Sequence, residues 1–182
     1  MKLLRIEKKR EHTDDLELAL ACARGDKSAM DHVYRNYGGK ILSICRRYTA
    51  NRDEAEDCLH DGFIKVFEKI GNYSGKGGLY AWVKTVIVNQ TINTLKARHS
   101  MLELSPLEEV PNEEDEVLPP QAEPEKVIHC ISQLPPGYRM VLNMYVFEQM
   151  SHDQIAEQLG ISPNTSRTQL HKARLRLKEL IK

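Results

Sequence analysis

Apolar residues recur every three or four positions along most of this chain, which is the spacing of amphipathic helices. No segment shows the sustained alternation of apolar and polar residues, flanked by turn residues, that is typical of strands. The pattern therefore predicts an all-α protein.

Five helices are predicted in the first hundred residues. Their boundaries are marked by capping and helix-breaking residues, which are Thr13 or Asp14, Gly25 with Asp26, Gly38 with Gly39, Asp53, and the glycine-rich segment 71–78. We expect the first helix to bury Leu16 and Leu20, and the fifth to bury Leu79 and Val83.

The net charge of zero hides a strong segregation of charge. Residues 101–125 carry nine acidic side chains and no Lys or Arg, while residues 1–100 have a net charge of +5 and residues 126–182 of +4. Five prolines in the acidic segment interrupt helices, and its composition is that of an extended linker. The predicted parts are a basic tail (1–12), a helical domain (13–99), an acidic flexible linker (100–124) and a second small helical domain (125–182).

The overall composition, 41% hydrophobic and 29% charged, is that of an ordinary soluble protein. The chain has no apolar run of membrane-spanning length and no secretion signal, so we expect it in the cytoplasm. Cys22, Cys45, Cys58 and Cys130 are widely scattered, which favours small core residues over disulfides or a zinc knuckle. We find no nucleophile–base pair and no phosphate-binding loop, and therefore expect neither an enzyme nor a cofactor.

The C-terminal end of the chain has the order of a helix-turn-helix. A short helix through Ile155 and Leu159 leads to Gly160, and Ser162 with Pro163 begins a long second helix. The polar faces of this second helix are cationic through Arg167, His171, Lys172, Arg174, Arg176 and Lys178. A basic helix alone could be a solvated surface, but after such a turn it is typical of proteins that read the DNA major groove.

The fourth predicted helix opens with five carboxylates and one histidine within residues 53–61. Carboxylates in a first turn are favourable beside the positive end of the helix dipole, without any further role. Asp57 and His60 could instead begin a metal site, but the sequence has no second acid-x-x-His pair to complete it. A third interpretation is a docking surface for a basic partner protein.

The charge reverses directly after this acidic stretch. Residues 62–100 carry six basic side chains and one acidic side chain, with Tyr73, Tyr80 and Trp82 in and beside the glycine-rich segment. Aromatic and basic side chains together are suited to stacking unpaired bases and holding their phosphates. Since a lone Trp at helical spacing is most often a core residue, we expect Trp82 in the core and Tyr80 at solvent or a ligand.

These blocks resemble the extracytoplasmic-function (ECF) subfamily of bacterial sigma-70 factors. Residues 53–63, the loop 73–82 and Asn89 resemble region two, and residues 155–162 and 165–174 resemble region four. In that family region two binds the clamp helices of the β′ subunit of RNA polymerase and melts the −10 element, while region four reads the −35 element and touches the β flap. The resemblance implies a non-enzymatic sigma factor for promoter recognition, promoter melting and transcription initiation.

By position, the resemblance implies three groups of site residues. The group that binds core polymerase is Asp53, Glu56, Asp57, His60 and Asp61. The group for −10 DNA is Tyr73, Ser74, Gly75, Lys76, Tyr80, Lys84, Asn89 and Lys96. The group for −35 DNA is Thr165, Arg167, Thr168, His171, Lys172 and Arg174. Ser166 departs from the family pattern, which usually has an apolar residue there.

The implied partners are core RNA polymerase, promoter DNA and a membrane-linked anti-sigma factor, with no metal, cofactor or small-molecule substrate. The chief alternative is a helix-turn-helix regulator that binds duplex DNA without acting as a polymerase subunit. A metal-dependent helical enzyme built on Asp57 and His60 is a second alternative. An anti-sigma adaptor is a third alternative. The zinc-bound kind of adaptor would need a His-x-x-x-Cys-x-x-Cys run, which the sequence lacks.

Overall fold

The computed structural model describes residues 14–98 and 124–181, and within these ranges it contains helices and no strand. The helices are α1 (residues 14–23), α2 (Lys27–Tyr48), α3 (Arg52–Lys69), α4 (Leu79–Arg98), α5 (Pro124–Ser132), α6 (Pro136–Val146), α7 (His152–Leu159) and α8 (Pro163–Ile181), with a 3₁₀ turn at Ile70–Asn72. The all-α prediction is confirmed. The basic tail and almost all of the predicted linker lie outside the described residues.

Contacts divide the chain into two compact units. The first contains the described residues up to 45 together with 53–93, and the second contains 46–52 together with the described residues from 94 onward. The end of α2, its connection to α3 and the last turn of α4 thus group with the second unit, which the sequence does not predict. In the described part of the chain, no helix combines the length and the apolarity needed to span a bilayer.

The junction between α1 and α2 lies where the sequence predicts it. Gly25 adopts a φ of +83°, which favours glycine. The Asp26 carboxylate accepts hydrogen bonds from the backbone N–H groups of Ser28 (2.8 Å) and Ala29 (3.2 Å), and so caps α2.

The predicted helix break at Gly38 and Gly39 is wrong, because α2 runs without interruption from Lys27 to Tyr48. Glycine costs a helix about 1 kcal/mol relative to alanine, and tertiary packing readily outweighs that cost. Gly38 is buried, and an added Cβ there would lie 3.8 Å from the Tyr34 ring. Gly39 has open space around it.

The core of the first unit is apolar and closely packed. Its most buried side chains include Val33, Ile41, Ala55, Val66, Leu79, Val83, Ile87 and Ile92, each at most 1% exposed. The expectation that Leu20 belongs to this core is wrong, since its side chain is 46% exposed. The four cysteines of the chain are buried and not joined in disulfides, as predicted for small core residues.

We expect Gly62→Ala to destabilise the first unit and Gly39→Ala to stabilise it. A Cβ added at Gly62 would lie 2.6 Å from Cγ2 of Ile87, so α3 and α4 would have to move apart, at a cost of about 1–3 kcal/mol. Alanine at Gly39 meets nothing within 4 Å and gains helix propensity. Thermal unfolding of both variants checks this, and a Gly62→Ala protein as stable as wild type would contradict the close packing.

The second unit contains the predicted helix-turn-helix. Helix α8 packs against α5, α6 and α7. Ser151 and Gln154 form a reciprocal capping box at the start of α7, and Gly160 ends α7 with a φ of +72°. Ser162 caps α8 by accepting the Thr165 N–H at 2.9 Å. The helix, turn and second helix are thus confirmed at the predicted residues.

Candidate functional site

The acidic residues of α3 lie on the side of the helix that faces away from the core. Asp53, Asp57 and Asp61 are exposed and follow one another at intervals of four residues, so they form one row along the helix. His60 is exposed beside this row, and Glu56 is half-buried. The helix-dipole interpretation accounts for Asp53 in the first turn, but its effect fades before Asp57 and Asp61.

An exposed isoleucine extends this acidic row. Ile64 lies three residues after Asp61 and four after His60, and its side chain is 59% exposed. The other apolar positions of α3 face the core or are half-buried. Sequence reasoning missed Ile64, although an apolar residue outside the buried stripe of a helix is a visible signal. Among the described residues, no group of three or more His, Cys, Asp or Glu side chains could hold a metal ion.

The glycine-rich loop between α3 and α4 is braced from inside by Tyr73. The Tyr73 ring is 5% exposed and lies 6.0 Å from Trp82, and its hydroxyl donates to the carbonyl of Gly77. Gly75 and Gly77 have φ values of +73° and +76°, which residues other than glycine rarely adopt. The structure therefore gives Tyr73 the position of a loop support, with little of its ring accessible for the predicted contact with DNA.

The remaining loop residues are accessible. Ser74, Lys76 and Gly77 are exposed, and Gly75 is half-buried against Leu16 of α1. Burial, and secondly the Asp15 carboxylate, raise the pKa of the Tyr73 hydroxyl above its ordinary value. The loop thus presents the exposed Ser74, Lys76 and Gly77 on a support held by Tyr73.

Tyr80 is held at the edge of the first unit by residues of α2. Its half-buried ring meets that of Tyr37 edge-on at 5.3 Å, and the Lys40 ammonium lies 5.6 Å from its centre. Burial is the largest cause of the raised pKa of the Tyr37 hydroxyl. The electrostatic effects of Asp15 and then of Tyr73 raise it further. Tyr37 and Lys40 were missed by sequence reasoning, because only the fold brings them to Tyr80.

The predicted −10 residues of α4 do not share one face. Lys84 is half-buried one turn after Tyr80, whereas Asn89 lies about 140° further around the helix axis. Asn89 and Lys96, seven residues apart, are exposed on a common side. The Lys96 ammonium donates to the carbonyl of Gln158 at 3.1 Å, within the second unit. Trp82, predicted in the core, is only half-buried.

Helix α8 displays most, but not all, of the predicted −35 residues. Arg167 is exposed, and Thr165, His171, Lys172 and Arg174 are half-buried. The guanidinium of Arg174 lies 5.7 Å from the centre of the Tyr145 ring. Thr168 is only 7% exposed, so little of its side chain is accessible for the predicted contact with DNA.

Ser166, where the sequence departs from the pattern it otherwise resembles, is fully buried. Its hydroxyl lies 2.9 Å from Nδ1 of His152, the first residue of α7. The His152 ring in turn stacks on Tyr145 at 4.7 Å. A buried hydroxyl costs little when it is hydrogen-bonded, so this contact explains how serine is tolerated between the two helices.

Comparison with known proteins identifies both halves of the chain. Residues 33–100 match the family description Sigma-70 region 2, and residues 125–177 match Sigma-70, region 4. The RNA polymerase sigma-H factor of Pseudomonas aeruginosa is 30% identical over 176 residues, which cover 88% of this chain and 90% of that protein.

Two further similar proteins have lower sequence identity. ECF RNA polymerase sigma factor SigE of Mycolicibacterium smegmatis is 25% identical over 172 residues, 87% of this chain and 65% of that protein, so the chain spans just under two thirds of its length. The sigma factor RpoE of Bartonella quintana, solved in complex with the anti-sigma factor NepR, is 20% identical with a TM-score of 0.49, covering 82% of this chain and 94% of that chain. The chain belongs to the ECF subfamily of the sigma-70 family, and it is a non-enzymatic RNA polymerase sigma factor that directs promoter recognition.

Proposed function

We propose that the exposed side of α3 binds the β′ clamp helices of core polymerase. The residues concerned are Asp53, Glu56, Asp57, His60 and Asp61, as predicted, with Ile64 added by the structure. Support comes from the exposed row of carboxylates with an apolar side chain beside it, because a charged rim steers a partner and an apolar centre holds it.

We propose that the loop 73–78 and the neighbouring parts of α4 bind the opened −10 element. The exposed Ser74, Lys76 and Gly77 would contact the displaced strand, and Tyr80 with Lys40 offers an aromatic and a cationic group at one place. Lys84, Asn89 and Lys96 would contact the flanking backbone. Extruding a base costs a few kcal/mol, which stacking, backbone contacts and polymerase binding offset, so no catalytic group is needed.

We propose that α8 reads the −35 element in the major groove. Its N-terminal half carries Thr165, Arg167, His171 and Lys172, and the capped turn at Gly160 and Ser162 fixes how it leaves α7. The observation that carries the whole proposal is this confirmed helix-turn-helix in a chain whose other unit presents an acidic face and an exposed glycine loop. A contact with the β flap and regulation by a membrane-linked anti-sigma factor follow from family membership as further proposals.

Reconstitution tests the proposed function. Purified chain, core polymerase and a promoter library should give run-off transcripts that core polymerase alone does not give, and the chain should co-elute with core in gel filtration. A helix-turn-helix regulator would instead bind duplex DNA without core and yield no transcript. Absence of both transcripts and core association would overturn the proposal in favour of that alternative.

A further inference from the structure

Helix α1 precedes the segment that matches sigma-70 region 2, yet it holds the glycine loop at two points. The Asp15 carboxylate accepts a hydrogen bond from the Leu79 N–H at 2.8 Å, across 64 positions of sequence. The Leu16 side chain lies beneath the middle of the loop, 3.5 Å from where a Cβ on Gly75 would stand.

The loop cannot cap α4 with a side chain of its own. Gly78, the residue before α4, accepts the N–H groups of Ala81 (3.0 Å) and Trp82 (3.3 Å) with its carbonyl, but has no side chain to bind the first N–H groups of the helix. Such groups need an acceptor, and a carboxylate is a good one beside the positive end of a helix dipole. Asp15 supplies this acceptor from another helix.

The same carboxylate is close enough to affect the tyrosines below the loop. Burial is the largest cause of the raised pKa of both Tyr37 and Tyr73, and the negative charge of Asp15 is the second largest. Tyr73 in turn donates to Gly77 at the far side of the loop. Asp15 therefore holds the loop at its α4 end, and Leu16 packs against its middle. The hydrogen bond from Tyr73 to Gly77 joins the two ends of the loop.

We propose that Asp15 is a positioning residue for the promoter-binding loop, which it sets in place by capping α4 without contacting DNA itself. This inference rests on the proposed function of the loop. Its side chain is half-buried, and a carboxylate would repel a phosphate, so its contribution is to the conformation of the loop and not to the contact.

The test uses the full chain bound to core polymerase, and a fluorescent single-stranded oligonucleotide carrying the −10 segment of a promoter that wild type transcribes. Asp15→Ala should weaken oligonucleotide binding by about fivefold, the equivalent of losing one cap, with core affinity unchanged. Asp15→Asn should restore binding to within about twofold of wild type, because the amide oxygen still accepts the Leu79 N–H. Glu17→Ala, which removes an exposed carboxylate two positions further along α1, should have no effect.

A second variant keeps the inference falsifiable if Asp15→Ala unfolds. Leu16→Ala leaves the cap intact and removes the contact beneath Gly75, so it should cause the same selective loss of oligonucleotide binding.

The outcomes separate this inference from the function on which it rests. Wild-type binding by Asp15→Ala or by Leu16→Ala, or equal weakening by Asp15→Ala and Asp15→Asn, would each overturn the positioning role. Failure of the wild-type holoenzyme itself to bind the oligonucleotide would instead overturn the proposed function of the loop.

Discussion

Ile64→Lys is expected to lower the affinity of the chain for core polymerase at least thirtyfold, by about 2 kcal/mol or more. The side chain is 59% exposed, so its replacement leaves the packing of α3 against the core undisturbed. Apolar side chains at the centre of an interface can carry this much binding energy, and the added positive charge would also repel a basic partner drawn to the acidic row. Titration of fluorescently labelled chain with core polymerase measures the change.

Leu20→Lys is the matched control. Leu20 is the other strongly exposed apolar residue described in the first unit, at 46%, and it receives the same substitution on a different helix. Core binding should stay within about twofold of wild type, as is usual for surface changes outside an interface. Equal losses in the two variants, or no loss in Ile64→Lys with the thermal unfolding temperature unchanged, would show that α3 does not use this side to bind polymerase.

The helix-turn-helix could be predicted residue by residue because its signals are local. Ser162 and Pro163 begin a helix through their own side chains, and Gly160 is suited to the left-handed turn that ends the previous one. Such interactions span three or four residues, so they are visible in the sequence alone. The buried stripe of α3, from Ala55 to Val66, was predictable for the same reason.

Local signals mislead where the state of a residue depends on distant parts of the chain. Gly38 and Gly39 look like a helix break locally, but the packing of α2 keeps them helical. Tyr73 is aromatic and lies in a basic loop, but its ring is buried and its hydroxyl donates to the carbonyl of Gly77. Thr168, predicted to contact the −35 DNA, is also buried, which only the packing of α8 decides.

The residues that sequence reasoning missed depend on tertiary contacts in the same way. Asp15 and Leu79 are 64 positions apart, and no periodicity or motif links a carboxylate in the first helix to the start of the fourth. Lys40 and Tyr80 likewise meet only in the fold. The helices and the family of a protein can thus be predicted from sequence, while the supports of its functional loops require the structure.

The double substitution Arg167→Ala with Lys172→Ala is expected to reduce binding of the holoenzyme to a duplex −35 fragment at least thirtyfold. Each cationic side chain that contacts base or phosphate contributes about 1–3 kcal/mol, and the loss of each phosphate contact should lower the salt dependence of binding by about one unit of slope. Mobility shifts over a range of salt concentrations measure both quantities.

Arg176→Ala provides the control for charge alone, because it removes one positive charge from the same helix. Arg176 is 57% exposed and paired with Glu179 at 2.6 Å, near the C-terminal end of α8 and away from the capped turn. If α8 enters the groove by its N-terminal half, this variant should bind almost as wild type does. The contradicting result is a loss in Arg176→Ala that is half of the free-energy loss in the double variant, which removes two charges. The helix would then attract DNA through its overall charge, and the proposed reading of the −35 element by Arg167 and Lys172 would be wrong.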